Sequence, residues 1–328
     1  MRKYVSVLCL FVGFGLLLPG FQAHAKTVKF TFATTNGPKD FSSQAVVRWQ
    51  KAMKEASNGE LEMNFVPGGV LGGDKQLLQQ LSTNEIQIHV AGPVVVHHLA
   101  KKYQCMEAEF VYKDEAHGFR VWNGPLRDEL NKLLEKDYDI TIIGVGSRGA
   151  RHLTSDRPVI KPDDMQGLKV RVTNPLRASI FKAYGALPGP LPISELYGAL
   201  QQGVFDAEEN PISTIWGNKF YEVQDYINLT GHVWSYWVFS ANKSFMDSLS
   251  PAHRKIFTET LDEAIAWLNN KVKTETDLLL QKMVDTGKVQ VTHPDVSAFE
   301  TIAEPIVRQF AVDNCREGIL NDIAKQAK

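Results

Sequence analysis

Residues 27–33, Thr27-Val28-Lys29-Phe30-Thr31-Phe32-Ala33, alternate polar and apolar side chains with a period of two, the pattern of a half-buried strand. A polar loop, Thr34 to Asp40, follows. From Phe41 the period changes: Ala45, Val46, Trp49, Ala52, Met53 and Ala56 form a helical stripe that Asn58-Gly59 stops. Leu61, Met63 and Phe65 restore the alternation. Pro67-Gly68-Gly69 and Gly72-Gly73 bracket a turn-rich loop, and Asp74 is placed to cap a helix carrying Leu77, Leu78 and Leu81. Ile86 to Val90 reads as a further strand ending at Ala91-Gly92. Strand, helix, strand, helix, strand at this spacing is the signature of a parallel α/β sheet.

A second α/β pattern occupies the middle of the chain. Asp139 to Gly146 reads as a strand entering a glycine turn, Leu168 to Val172 as a second strand, and Ala178 to Tyr184 as a short helix. Ser194 is a candidate cap for Glu195 to Gln202, and Val204 to Ala207 a candidate short strand. Tyr226 to Leu229 and His232 to Phe239 read as extended chain. Farther on, Ser250 and Pro251 open a helical tract that runs to about Gly287, either as one long helix or as two that break near Asn269-Asn270. After Val289-Gln290-Val291, residues 296–325 read as one or two more helices. The fold expected is α/β, two lobes around a cleft. Residues 26–148 with about 237–276 would form lobe 1 and 149–236 with about 277–300 lobe 2, followed by a C-terminal helical segment at about 301–328.

The chain of 328 residues is nearly neutral, with 36 basic and 37 acidic side chains, which argues against a nucleic-acid binder. Its first residues have three parts. Met1-Arg2-Lys3 is positive, Tyr4 to about Leu18 is mostly apolar, and Ala23-His24-Ala25 supplies the small residues of a cleavage site. A secretory leader, residues 1–25, is therefore expected, with export to the periplasm. Cys9 lies within the apolar run, away from any lipoprotein-like context. Removal of the leader leaves Cys105 and Cys315, which either pair in an oxidising compartment or remain two buried thiols.

Catalytic motifs are weak. Gly144-Val145-Gly146-Ser147 lacks the full dinucleotide fingerprint, the glycine pairs at 68–73 lack a phosphate-loop ending, and His97-His98 has no metal-ligand pattern around it. Five arginines, at 148, 151, 157, 171 and 177, stand close together in a chain with no positive bias. Arg171 lies between Val170 and Val172 in a strand, so valines facing the core turn the guanidinium to the other face. There it either grips an anionic ligand or pairs with Asp206, Glu208 or Glu209. Asn210 ends a strand, where open α/β sheets place ligands, or merely caps the turn before Pro211.

Arg151 to Pro158, Asp164 to Val172, Ala207-Glu208-Glu209-Asn210-Pro211 and Lys219 to Tyr226 together resemble the DctP-like solute-binding proteins of TRAP (tripartite ATP-independent periplasmic) transporters. The resemblance covers essentially the whole chain after the leader. It implies a two-lobed cleft crossed by a long helix and closing on a small carboxylated solute. By this resemblance Arg171 is the principal carboxylate anchor, Arg151 a second arginine and Asn210 the polar group completing the clamp. Thr35, Asn36 and Lys39 are first-lobe candidates, Arg148 adds positive potential with His97 and His98, and Trp216 is a candidate wall.

The implied function is capture of a dicarboxylate, sugar acid or related organic acid and its delivery to membrane permease subunits. No cofactor, metal, nucleic acid or catalysis is expected, and the chain is expected to act as a monomer. Three alternatives remain open. They are binding of a phosphorylated acid or polyol, a ligand-sensing role, and a sugar-acid enzyme using His152 or His232 as base.

Overall fold

A computed structural model describes residues 27–327, so the expected leader lies outside the described residues. The first unit opens as expected, with β1 (Val28–Ala33), α1 (Phe41–Ala56), β2 (Leu61–Val66), α2 (Asp74–Ser82) and β3 (Ile88–Ala91). β1 lies between β2 and β3, parallel to both. Asp74 is the first residue of α2 and Gly73 its N-cap, which leaves the Asp74 carboxylate available for other partners. Three helices follow: α3 (Val94–His98), α4 (Glu115–Trp122) and α5 (Pro125–Tyr138).

The chain then enters β4 (Ile140–Ser155), sixteen residues long, where a turn was expected at Gly144-Val145-Gly146. Those glycines keep the strand going because a helix lies directly on it. A Cβ on Gly144 would come within 2.5 Å of Ile265 Cδ1, and one on Gly146 within 2.9 Å of Leu268 Cδ2. At Gly149 the backbone takes φ +84° beside a register shift between Ser147 and Gly149.

The second unit comprises β5 (Lys169–Val172), α6 (Pro175–Ala183), β6 (Leu187–Pro190), α7 (Ile193–Gln201), β7 (Ala207–Pro211) and α8 (Ile212–Gly217). β5 lies parallel between β6 and β7. The strand expected at Val204 to Ala207 begins only at Ala207, because Gly203 at φ +69° and Val204, donating to the Ala199 carbonyl at 2.9 Å, still belong to the end of α7. Ser194 likewise lies inside α7, one residue past its start, rather than at its cap.

A second long strand, β8 (Tyr226–Asn242), pairs antiparallel with β4 from Ile140↔Asn242 to Ser155↔Tyr226. β3 pairs with one end of β8, and β7 with the opposite end of β4. The resulting order is β2-β1-β3-β8-β4-β7-β5-β6, so the two α/β units are joined through β4 and β8 in one sheet. Successive β8 residues feed opposite cores: Tyr236 and Val238 one, Trp237 and Phe239 the other.

After α9 (Lys243–Ser248), the helical tract is one helix, α10 (Pro251–Asp285), about 50 Å long at 1.5 Å per residue. Ser250 caps it by accepting from the His253 amide at 3.1 Å. It packs on α1, β4 and α8. Its anchor is aromatic: Trp49 meets Phe257 edge-on at 4.9 Å and donates to Thr260 Oγ1 at 3.1 Å. β9 (Gln290–Thr292) extends the sheet beside β8. The final helices, α11 (Val296–Asn314) and α12 (Ile319–Lys325), return over α6 and the 101–107 turn.

Cys105 and Cys315 form a disulfide with Cα atoms 6.3 Å apart, closing a separation of 210 positions. The His117 ring reinforces the same junction by bonding the Ile323 carbonyl at 2.8 Å. A loop that long makes the unlinked, unfolded chain much richer in conformations. Replacing both cysteines with alanine is expected to cost about 2–4 kcal/mol, read as a lowered urea midpoint with a steeper slope, because the unlinked unfolded chain exposes more surface.

Candidate functional site

The C-terminal ends of β1, β3, β5 and β7 open on one cavity, the position where open α/β sheets bind ligands. Its inner part offers about 60 Å³. It adjoins an outer cleft of about 630 Å³ with which it shares Thr35, Asp74, His97 and Arg171.

One wall is built of arginines that differ in how their hydrogen-bonding capacity is used. Arg151, 1% exposed, gives its Nε to the Glu209 carboxylate and its Nη2 to the Glu209 carbonyl. Nη2 also lies 3.2 Å from Asn210 Oδ1. Behind it, fully buried Arg177 bonds Glu209 at 3.1 Å, Glu109 at 2.7 Å and Thr173 Oγ1 at 2.8 Å. Burial pushes the Glu209 carboxyl up, but Arg151, Arg177 and the His232 hydrogen bond hold it well below the usual carboxylate range.

Arg148 lies over the Trp237 ring, 4.2 Å from its centroid, and its Nη2 reaches Asn210 Oδ1 and Thr214 Oγ1, both at 3.3 Å. Its Nε has no acceptor among the described residues. Burial, then the charge of Arg151, lowers its pKa to about 10, which leaves it cationic at neutral pH.

Arg171 is different. Val170 and Val172 pack in the core, and the guanidinium takes the other face, as strand alternation requires. Its Nε donates to the Leu191 carbonyl at 2.8 Å. Its two terminal nitrogens have no acceptor among the described residues, although the group is only 6% exposed. The three carboxylates that might have paired with it are engaged elsewhere. Asp206 takes Lys169 at 3.0 Å, Glu209 takes Arg151 and Arg177, and Glu208 takes Asn210 and Thr154.

Residues 32–313 match the family described as bacterial extracellular solute-binding protein, family 7 (DctP). The chain belongs to this family. Among its relatives, the C4-dicarboxylate-binding periplasmic protein DctP of Shewanella loihica is 30% identical, over 86% of this chain and 84% of that protein. The 2,3-diketo-L-gulonate-binding periplasmic protein YiaO of Escherichia coli K12 is 28% identical, over 90% and 89% respectively. The solved structure of the sugar acid binding protein DctPAm from Advenella mimigardefordensis, in complex with galactonate, superposes with a TM-score of 0.84 at 27% identity, covering 92% of this chain and 99% of that one. Members of this family are two-lobed solute-binding components of TRAP transporters that bind small acid solutes and work with membrane permease subunits.

Of the residues singled out for this DctP-family chain, Arg148, Arg151, Arg171, Asn210, Thr35 and Asn36 come together at the cavity. Two others do not. Lys39 is exposed on the loop before α1, where its backbone carbonyl accepts from Gln44 at 2.9 Å. Trp216 stacks on Tyr221 at 5.2 Å. It follows Thr214, which meets Arg148, by two residues, which turns it about 200° around α8. Arg157 is exposed, and His98 lines the outer cleft but not the inner cavity. His152 and His232, the bases considered for an enzyme, do not line the cavity. His232 bonds Thr230 and Glu209, and burial lowers its pKa.

Sequence reasoning missed Asp74 and Glu107, both of which line the cavity. Asp74 accepts from Thr35 Oγ1 at 2.8 Å, and Glu107 pairs with His97. Burial pushes Glu107 up, but the His97 bond and the charges of His97, Arg177 and Arg151 hold it at about 2. Asp74 was legible only as a helix start, and Glu107 lies in a 3₁₀ turn with no periodic pattern.

Glu208 behaves in the opposite way. Burial is the largest effect and raises its pKa to about 7, the Asn210 hydrogen bond and nearby arginines notwithstanding. A carboxyl whose folded-state pKa is raised stabilises most below its unfolded value near 4.5, and that contribution is lost as pH rises through about 7. Glu208→Gln should therefore gain stability relative to the wild type as pH goes from 5 to 8, measured by denaturant titration at each pH.

Proposed function

We propose that this chain captures a small carboxylate-bearing solute in the cleft and delivers it to a TRAP permease. The supporting observation is Arg171, a buried guanidinium whose two terminal nitrogens face a cavity without a protein acceptor among the described residues. A bidentate carboxylate supplies two charge-assisted bonds there. Arg151 and Asn210 orient the group, Arg148 adds charge, and Thr35 and Asn36 contribute from the first-lobe side. Lys39 and Trp216 have no part in this reading.

In this reading the lobes comprise 26–148 with about 237–276 and 149–236 with about 277–300, which puts the crossings between them in β4 and β8. The remainder, about 301–328, is the C-terminal helical segment of the same reading. Closure on the solute follows if the closed form binds it more tightly than the open one. In this reading the mature protein is a periplasmic monomer released by cleavage near Ala25. It performs no catalysis and requires no cofactor or metal.

Arg171→Ala is expected to weaken binding of the solute about a hundredfold or more while leaving the circular dichroism spectrum unchanged. Unaltered affinity by calorimetry would remove Arg171 from the anchor role. Gly92→Ala tests how Arg148 is positioned. A Cβ on Gly92 would come within 2.5 Å of Arg148 Nη1, and the Trp237 ring stands 4.2 Å from that guanidinium. The displaced arginine should lower affinity on the order of tenfold, with a much smaller change in melting temperature.

A further inference from the structure

The two sulfurs of the Cys105–Cys315 disulfide stand in different surroundings. Cys105 lies in the 101–107 turn, 0% exposed, within the core that also holds Trp122, Leu130 and Ile140. Cys315 is the C-cap of α11 and only half-buried. It lines a surface groove of about 600 Å³ between α11 and α12, with Arg308, Val312, Gly318 and Leu320.

Thiol–disulfide exchange is a displacement in which a thiolate attacks one sulfur and expels the other. Chemistry and access oppose one another at this bond. Apolar burial raises a thiol's pKa, so Cys105 is the poorer leaving group, and chemistry alone would favour attack at Cys105. Access favours the other sulfur, because the groove ends on Cys315 while Cys105 is sealed in the core. A sealed sulfur reacts only when the surrounding core opens.

What the bond holds lies beside the solute cavity. At the turn it is backed by the Arg316 amide, which donates to the Lys102 carbonyl at 2.8 Å, and by the Arg316–Glu129 pair at 3.1 Å. Two residues past Cys105, Glu107 ends the turn on the cavity wall. It pairs with His97, accepts from Ser235 Oγ at 3.3 Å, and its carbonyl takes Arg177 Nη2 at 3.4 Å.

We propose that Cys105–Cys315 is a thiol-exchange site entered at Cys315, and that opening it loosens the 101–107 turn and with it the Glu107 wall of the cavity. The co-reactant is a low-molecular-weight thiol. Its thiolate bonds to Cys315 Sγ as the Cys105–Cys315 bond breaks, and Cys105 leaves with the electron pair and takes up a proton. The incoming thiol is oxidised and Cys105 reduced. Attack by Cys105 on the mixed disulfide reverses the step.

Glutathione is the probe, and no solute is needed. Oxidised glutathione would be added to Cys105→Ala, which keeps Cys315, and to Cys315→Ala, which keeps Cys105, with the adduct followed by mass spectrometry. Cys315 should be modified on the order of tenfold or more faster than Cys105. Should either variant lose its circular dichroism spectrum, the wild type supplies the same answer. Brief exposure to reduced glutathione, acid quenching, alkylation under denaturing conditions and non-reducing digestion should place glutathione on Cys315 and the alkyl group on Cys105. Hydrogen exchange then compares the disulfide-bonded and reduced wild type. Amides of the 101–107 turn should exchange on the order of tenfold faster after reduction, a larger factor than at β1.

Glutathione found on Cys105, equally on both cysteines or on neither overturns entry at Cys315. Exchange at the turn that is unchanged by reduction, or that rises no more than at β1, overturns the link to the cavity wall.

Discussion

The carboxylate of Glu209 is the constraint around which the site is arranged. It is fully buried and held by Arg151 and Arg177, which come from different elements. Burying a carboxylate costs several kcal/mol unless it is paired, and removing one partner of such a pair typically costs about 3–5 kcal/mol. Glu209 thereby fixes two arginines in place, and Glu109 completes the coordination of Arg177. With those acceptors taken, the Arg171 terminal nitrogens are left facing the cavity. The positive character of the site comes less from the number of arginines than from which of them has run out of protein partners.

A second constraint is mechanical. β4 and β8 pair along almost their full length and join the two α/β units in one sheet. Arg148 and Arg151 stand in the middle of β4, beside the left-handed Gly149 and its register shift. The groups that would hold the solute therefore sit where the two units join. Gly144 and Gly146 let α10 lie close on the same strand, which couples the long helix to that junction.

Much of the fold could be read locally, and where the reading failed the cause lay outside the segment. Period-two and helical stripes marked β1, α1, β2 and α2, and the Ser250-Pro251 signal marked the start of α10. Gly144-Val145-Gly146 looked like a turn because glycine is a turn residue, yet a helix packed above it makes a small side chain the requirement. Val204 has a strand former's side chain but is spent on closing α7. In the site, Arg171 was legible because alternation between two valines forces its direction, whereas Asp74 and Glu107 carried no such pattern.

The sequence by itself determined the α/β class, the order β1-α1-β2-α2-β3, the start of α10 and the face on which Arg171 emerges. These depend on periodicities of a few residues, which each segment carries within itself. Only the tertiary structure decided that Cys105 meets Cys315, that Arg151 and Arg177 are engaged while the Arg171 terminus is not, and that Asp74 faces the same cavity. Those outcomes depend on partners far apart in the chain, 58 positions for Arg151 and Glu209 and 68 for Arg177 and Glu109. Whether an ionisable group binds a solute or its own protein is set by which acceptors folding brings within about 3 Å of it, and local pattern holds no record of that.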